Sequence, residues 1–145
     1  KGIKSMKYVK EGNLVFVVID KGEDLFSSLY EVQKQVGFLG AQVSGIGALK
    51  NLEIGFFHCS EKSYDRTSIE SEKELLALNG NFTFNEGKPF FHLHTVLGNE
   101  DYTTSGGHLF SAEVAVTCEV YLQVHNMKIE RKPNADIGLN LCELC

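Results

Sequence analysis

From Val114 to Val124 the chain alternates without a break. Val114, Val116, Cys118, Val120, Leu122 and Val124 share one parity, and Ala115, Thr117, Glu119, Tyr121 and Gln123 share the other. Successive side chains of a strand point to opposite faces, so this run carries one apolar face and one mixed face. A strand buried on both sides in a parallel sheet reads instead as an unbroken apolar run. The alternation therefore predicts a half-buried strand in an antiparallel or mixed sheet with a single covered face.

The cover for that face is legible upstream. Asn13 to Ile19 reads as a strand, and after Gly22 the residues Leu25, Leu29, Val32 and Val36 recur at helical spacing. With Asp24 at its start and Gly37 where a C-terminal cap falls, Asp24 to Val36 is the one main helix, its apolar stripe set to pack on the sheet. Further strands are predicted at Ala41–Leu49, Leu52–His58, Tyr64–Glu70, Glu74–Phe84, Phe90–Leu97 and Gly138–Leu144. The 145 residues fit one compact domain from Met6 to Cys145. Its class is α/β of the α+β type: a bent, largely antiparallel or mixed sheet with one main helix. Met6 reads as a natural start, which leaves Lys1 to Ser5 as a remnant.

Charge and cysteine usage narrow the function classes. The formal net charge is −5, and of 14 basic residues only Arg66 and Arg131 are arginine. Neutralising phosphates supplies most non-specific nucleic-acid affinity, so this balance disfavours autonomous DNA binding. No apolar run approaches the roughly 20 residues that cross a bilayer, and no export signal is present, so cytoplasmic residence is expected. Cys59 and Cys118 lie in apolar strand-like sequence and read as core residues. Cys142 and Cys145 form a lone C-x-x-C without the second pair of a zinc ribbon or the setting of a redox motif. No nucleophile elbow, phosphate loop or dinucleotide fingerprint occurs.

The histidines carry the chemistry. His92 and His94 flank one residue, and His108 follows Gly106 and Gly107. On a strand, His92, His94 and Val96 share one face and Phe91, Leu93 and Leu97 the other, with the two rings about 6.6 Å apart along the backbone. The polar, glycine-bounded stretch from Gly98 to Gly106 can return the chain and bring His108 beside His94. Gly106 and Gly107 leave room for close backbone approach. Three imidazoles with an open fourth position form a catalytic zinc site, whereas structural sites are closed by four protein ligands. The alternative is three ordinary histidines on a solvated face. His58 and His125 each end a strand-like run and read as edge or turn residues. Glu113 and Glu119 are the candidate proton-handling or ligand-orienting carboxylates, or else solvated strand residues, and Arg131 either anchors an anionic ligand or pairs with a carboxylate.

These motifs resemble a known family. Ser44-Gly45-Ile46-Gly47-Ala48, Glu74 to Gly80, Pro89-Phe90-Phe91-His92-Leu93-His94, Ser105-Gly106-Gly107-His108-Leu109, Thr117-Cys118-Glu119-Val120 and the late Arg131 with Gly138-Leu139 stand in the order of the PPC domain, the plant and prokaryote conserved domain. The resemblance covers nearly the whole chain from about Met6. It implies a compact domain with a strongly bent sheet, commonly assembled as a trimer, and zinc held by His92, His94 and His108 as in some prokaryotic members. Two functions follow from it: a metal-dependent enzyme or binder of a small molecule, or a DNA-associated regulatory module. The chain lacks the Arg-Gly-Arg-Pro element with which plant members enter the minor groove.

Overall fold

The computed structural model describes residues 7–144. The expectations for Lys1 to Met6 and for Cys145 fall outside the described residues. Nine strands and one helix follow in the order β1 Lys7–Glu11, β2 Leu14–Asp20, α1 Leu25–Val36, β3 Gly40–His58, β4 Ser63–Ile69, β5 Lys73–Asn85, β6 Lys88–Gly98, β7 Thr104–His125, β8 Glu130–Asn134 and β9 Leu139–Glu143. The strands form one mixed sheet, antiparallel except where β8 lies parallel to β5. β3 pairs with both β5 and β7, and β6 also pairs with both, so these four strands close on themselves. No helix among the described residues is long and apolar enough to cross a membrane.

The helix forms where its spacing and caps require it. The Asp24 side chain accepts the Ser27 N–H at 2.8 Å, and Gly37, at φ 81°, donates its N–H to the Gln33 carbonyl at 2.7 Å. Leu25, Leu29 and Val32 are fully buried against Val15, Val17, Val120 and the rest of the core. Burying such a side chain contributes about 1.5–3 kcal/mol each. The Tyr30 hydroxyl accepts the Phe91 N–H at 3.1 Å and fixes the helix over β6.

Several expectations are corrected. Ala41–Leu49 and Leu52–His58 are one 19-residue strand, β3. Asn51, at φ 45°, together with register shifts on either side, absorbs what reads as a break. Asparagine tolerates this left-handed conformation better than most residues. The face assigned to Val116 is also wrong, since Val116 is 61% exposed and Ala115 is buried. Between Gly47–Cys118 and Leu49–Val114 the pairing advances two residues on β3 and four on β7, and the bulge turns Val116 outward. Cys59 is exposed rather than core because β3 ends at His58 and Cys59 opens the turn, whereas Cys118 is fully buried. β1 and β8 were not expected. Both are mostly exposed five-residue strands without an apolar face, and β8 contains Pro133.

Candidate metal centre

The strand pairings bring the three histidines to one point. His94 on β6 lies directly opposite His108 on β7, and His92 stands two residues before His94 on the same face. The return between them is tighter than the sequence suggested: Asn99 and Thr103 close it with a 2.9 Å backbone hydrogen bond, and β7 already begins at Thr104. β7 is held from both edges here, because His108 also pairs with Gly55 of β3. A Cβ on Gly106 would collide with the Thr95 carbonyl oxygen, and one on Gly107 would stand 2.7 Å from the Gly55 carbonyl oxygen. The two glycines are what let β6, β7 and β3 crowd together at this level.

The ring centroids are 4.9 Å apart for His92 and His94, 5.3 Å for His92 and His108, and 5.6 Å for His94 and His108. One ligand atom from each ring lies within 4.8 Å of the others, and the Nε2 atoms of His92 and His94 are 3.1 Å apart. Bonds of about 2.0–2.1 Å to a tetrahedral ion space its donors by about 3.3–3.4 Å, so the His92–His94 pair fits and a modest inward turn of His108 completes three corners. The donor set suits zinc and equally copper, nickel or iron, so it does not choose the metal. His94 is exposed and the other two are half-buried, which puts the cluster at the surface.

Burial is the main cause that lowers the His92 pKa to about 4, assisted by Arg131, His94 and His108. His108 is likewise lowered to about 4, by burial first and then by His94, Arg66 and Arg131. Both rings are therefore neutral near pH 7, with a lone pair available to a cation. The Tyr64 hydroxyl stands 3.4 Å from His108 Nδ1 and its pKa is raised by burial, against the pull of Arg131. Arg131 is only 6% exposed. Its Nε donates to the Thr83 hydroxyl at 2.9 Å, and its Nη2 donates to the Asn81 side-chain oxygen Oδ1 at 3.0 Å and lies 3.3 Å from His92 Nδ1.

Beside the triad is a cavity of about 420 Å³ whose walls include Tyr64, Phe90, Phe110, Arg131 and Asn140 with His92 and His108. Of the residues singled out in the sequence, His92, His94, His108 and Arg131 come together here. Glu113 and Glu119 do not. Glu113 accepts from Asn51 at 2.9 Å and faces Lys50, and the Asn51 amide chiefly holds its carboxyl below the ordinary range. Glu119 lines a separate cleft of about 360 Å³ with Ile46, Leu76 and Val116. His58 and His125 end β3 and β7. Sequence reasoning missed Tyr64, Phe90 and Phe110. Phe90 and Phe110 stand two residues from His92 and His108 on the same strands, so period-two spacing could have marked them, whereas nothing local marked Tyr64.

The family model of the Plants and Prokaryotes Conserved (PCC) domain matches residues 6–126. None of the curated proteins matches the chain. Among solved structures, a plant- and prokaryote-conserved (PPC) protein from Pyrococcus horikoshii is 34% identical with a TM-score of 0.83, over 100% of this chain and 99% of that one. A metal-containing protein from Archaeoglobus fulgidus is 32% identical with a TM-score of 0.85, over 98% and 100%. A protein described as a candidate DNA-binding protein from Bacteroides thetaiotaomicron is 31% identical with a TM-score of 0.90, over 95% and 96%.

Proposed function

Since the chain belongs to the Plants and Prokaryotes Conserved (PCC, or PPC) domain family, we propose that it is a metal-binding member acting on, or binding, a small molecule. His92, His94 and His108 hold the ion, zinc by preference. The observation that carries this reading is the convergence of three imidazole donors within 4.8 Å. The metal-containing relative from Archaeoglobus fulgidus supports it. Bound zinc supplies Lewis acidity at such a site. The chain's own part is to orient the ligand: Arg131 meets its anionic group, and the cavity wall at Phe90 and Phe110 sheds water from its body. Neither Glu113 nor Glu119 enters this reading, because Glu113 is held by Asn51 and Lys50 and Glu119 lines a separate cleft.

The reading includes a homotrimer in a reducing, cytoplasmic setting. The outward apolar side chains of Ile46, Leu76 and Val116, 57%, 51% and 61% exposed, line one cleft and support burial against further copies. The free, exposed thiols of Cys59 and Cys142 support the compartment.

Metal content of tag-free protein purified without chelators, measured by mass spectrometry beside His92→Ala, tests the site. About one zinc per chain, lost in the variant, is expected for three imidazole ligands and an open position. No stoichiometric metal in either protein overturns the reading. The second reading, a DNA-associated module, is favoured by the description of the Bacteroides thetaiotaomicron relative and opposed by the net charge of −5. Absence of duplex affinity at about 50 mM salt, where phosphate contacts are strongest, removes it.

A further inference from the structure

Arg131 is the one arginine or lysine among the buried residues, and no carboxylate stands within ion-pair distance of it among the described residues. A buried charge without a counter-charge is strongly unfavourable, and here only neutral groups compensate it: the Thr83 hydroxyl, the Asn81 amide, the His92 ring and the Phe90 ring, whose centroid is 5.4 Å from Cζ. The bonds to Thr83 and Asn81 occupy Nε and Nη2. Nη1 makes no hydrogen bond among the described residues, and no fully sealed side-chain atom there lacks a partner, so Nη1 keeps some contact with solvent. The open space that Arg131 borders is the 420 Å³ cavity beside the triad.

We propose that this cavity binds a small, singly charged organic carboxylate with a flat apolar body, its carboxylate on Arg131 Nη1 and its body between Phe90 and Phe110. This rests on the metal reading for its setting, but its anchor is Arg131. The class follows from the lining. Phe90, Phe110 and Tyr64 supply aromatic walls, and Leu139 and Leu141 continue them. Among the described residues no lysine and no acidic residue lines the cavity and Arg131 is the one permanently charged side chain there; the guanidinium of Arg66, stacked on Phe110, is already paired with Glu53. A phosphate, with its greater charge, calls for several donors such as a helix N-terminus or a nest of backbone amides. One free guanidinium nitrogen matches one carboxylate. The volume lies near the lower end of the roughly 300–1,000 Å³ of ligand pockets, so the body is about the size of one ring. Asn140 donates to Asn85 at 2.7 Å and ties β9 to β5 at the cavity, which keeps this wall in place.

Benzoate is the probe, with benzamide as its neutral isostere and inorganic phosphate as the competing anion. Calorimetric titrations use the full chain, zinc-loaded and zinc-depleted, with metal content measured on the same samples. Benzoate is expected to bind saturably in both states and at least about tenfold more tightly than benzamide, as a charge-assisted hydrogen bond implies. Arg131→Gln should abolish that preference in zinc-depleted protein, where the contact of Arg131 with His92 cannot act through the metal. Phe90→Ala should weaken benzoate and benzamide alike and still bind zinc. Undiminished benzoate affinity in Arg131→Gln overturns the proposal, as does phosphate binding as tightly as benzoate, or no saturable benzoate binding. Should Arg131→Gln fail to fold, equal benzoate and benzamide affinity in the unaltered chain, or an unchanged Phe90→Ala, overturns it instead. A chain that binds no zinc but retains the benzoate preference refutes the metal reading alone.

Discussion

Gly107→Ala puts the strand packing around the histidines to a direct test. A Cβ at this position stands 2.7 Å from the Gly55 carbonyl oxygen and 3.5 Å from the Gly55 carbonyl carbon and nitrogen. Ordinary carbon–oxygen contacts are about 3.3–3.6 Å, so β3 and β7 must part by about 0.6–0.9 Å. The obstacle is backbone on both sides, paired at His108–Gly55, and no side chain can swing away. Overpacking of this kind costs about 1–3 kcal/mol. With about 2 kcal/mol as the central value and a domain near 150 residues, the melting temperature should fall by about 4–8 °C. The adjacent His108 moves with the strand. Metal–ligand distances tolerate only about 0.2 Å, so zinc affinity should drop by about tenfold or more. Urea unfolding of zinc-depleted protein reads the first effect and competition against a calibrated chelator the second. A variant within about 0.5 kcal/mol of the parent, with unaltered zinc affinity, would refute the claim that close strand approach shapes the site.

In zinc-depleted protein the His92 and His108 rings should titrate near 4 rather than 6.5, which proton NMR of the ring resonances reads directly. Because both folded values are lowered, the unfolded chain takes up protons first as pH falls. The stability these rings contribute is present above about 6.5 and is lost as pH drops toward 4, so the urea midpoint at pH 5 should lie below that at pH 7. Phe82→Ala removes a ring that is 1% exposed and touches Phe38, Phe84 and Phe91, and should cost about 3–5 kcal/mol in chemical unfolding. Val116→Glu places a charge in the apolar cleft beside Ile46 and Leu76. If the proposed trimer packs through this cleft, sedimentation velocity should show the unaltered chain as trimer and the variant as folded monomer, and a variant that stays trimeric would remove this cleft from the interface.

The elements that could be read from the sequence are those whose signal is local. The helix was legible because its stripe, its aspartate cap and its terminal glycine all lie within 14 residues, and the structure ends it at Val36 before Gly37. β7 was legible only in its second half, where period-two alternation is clean. Its first ten residues, Thr104 to Glu113, alternate poorly because they pair with β6 and β3 in succession and shift register against β3. β3 was divided in two for the same reason: a residue in left-handed conformation and its flanking bulges imitate the end of a strand. Bulges break sequence periodicity without breaking the strand, which is also why the parity of Val116 misassigned its face.

The site divides along the same line. The H-x-H pair announces its shared face through strand geometry alone, and the third histidine needs only one hairpin, so the triad could be anticipated from adjacent segments. Nearness along the chain misled for the glutamates. Glu113 is five residues beyond His108 on one extended strand, a separation of about 16 Å, so a carboxylate close in sequence was carried away from the rings. Arg131 and Tyr64 arrive instead from 39 and 44 positions away along the chain, measured from His92 and His108. Their arrival depends on β8 joining β5 in parallel and on β4 folding back on β3, pairings that no local pattern encodes. The consequence is chemical. The three histidines and the Phe90 and Phe110 walls come from one hairpin, whereas Tyr64 and the buried guanidinium of Arg131, which the sequence marked only by residue type, are added by long-range pairing. Ligand preference at the proposed site therefore depends on the closed sheet, and Arg131, which reaches His92 from 39 positions further along the chain, is the residue through which it is most readily changed.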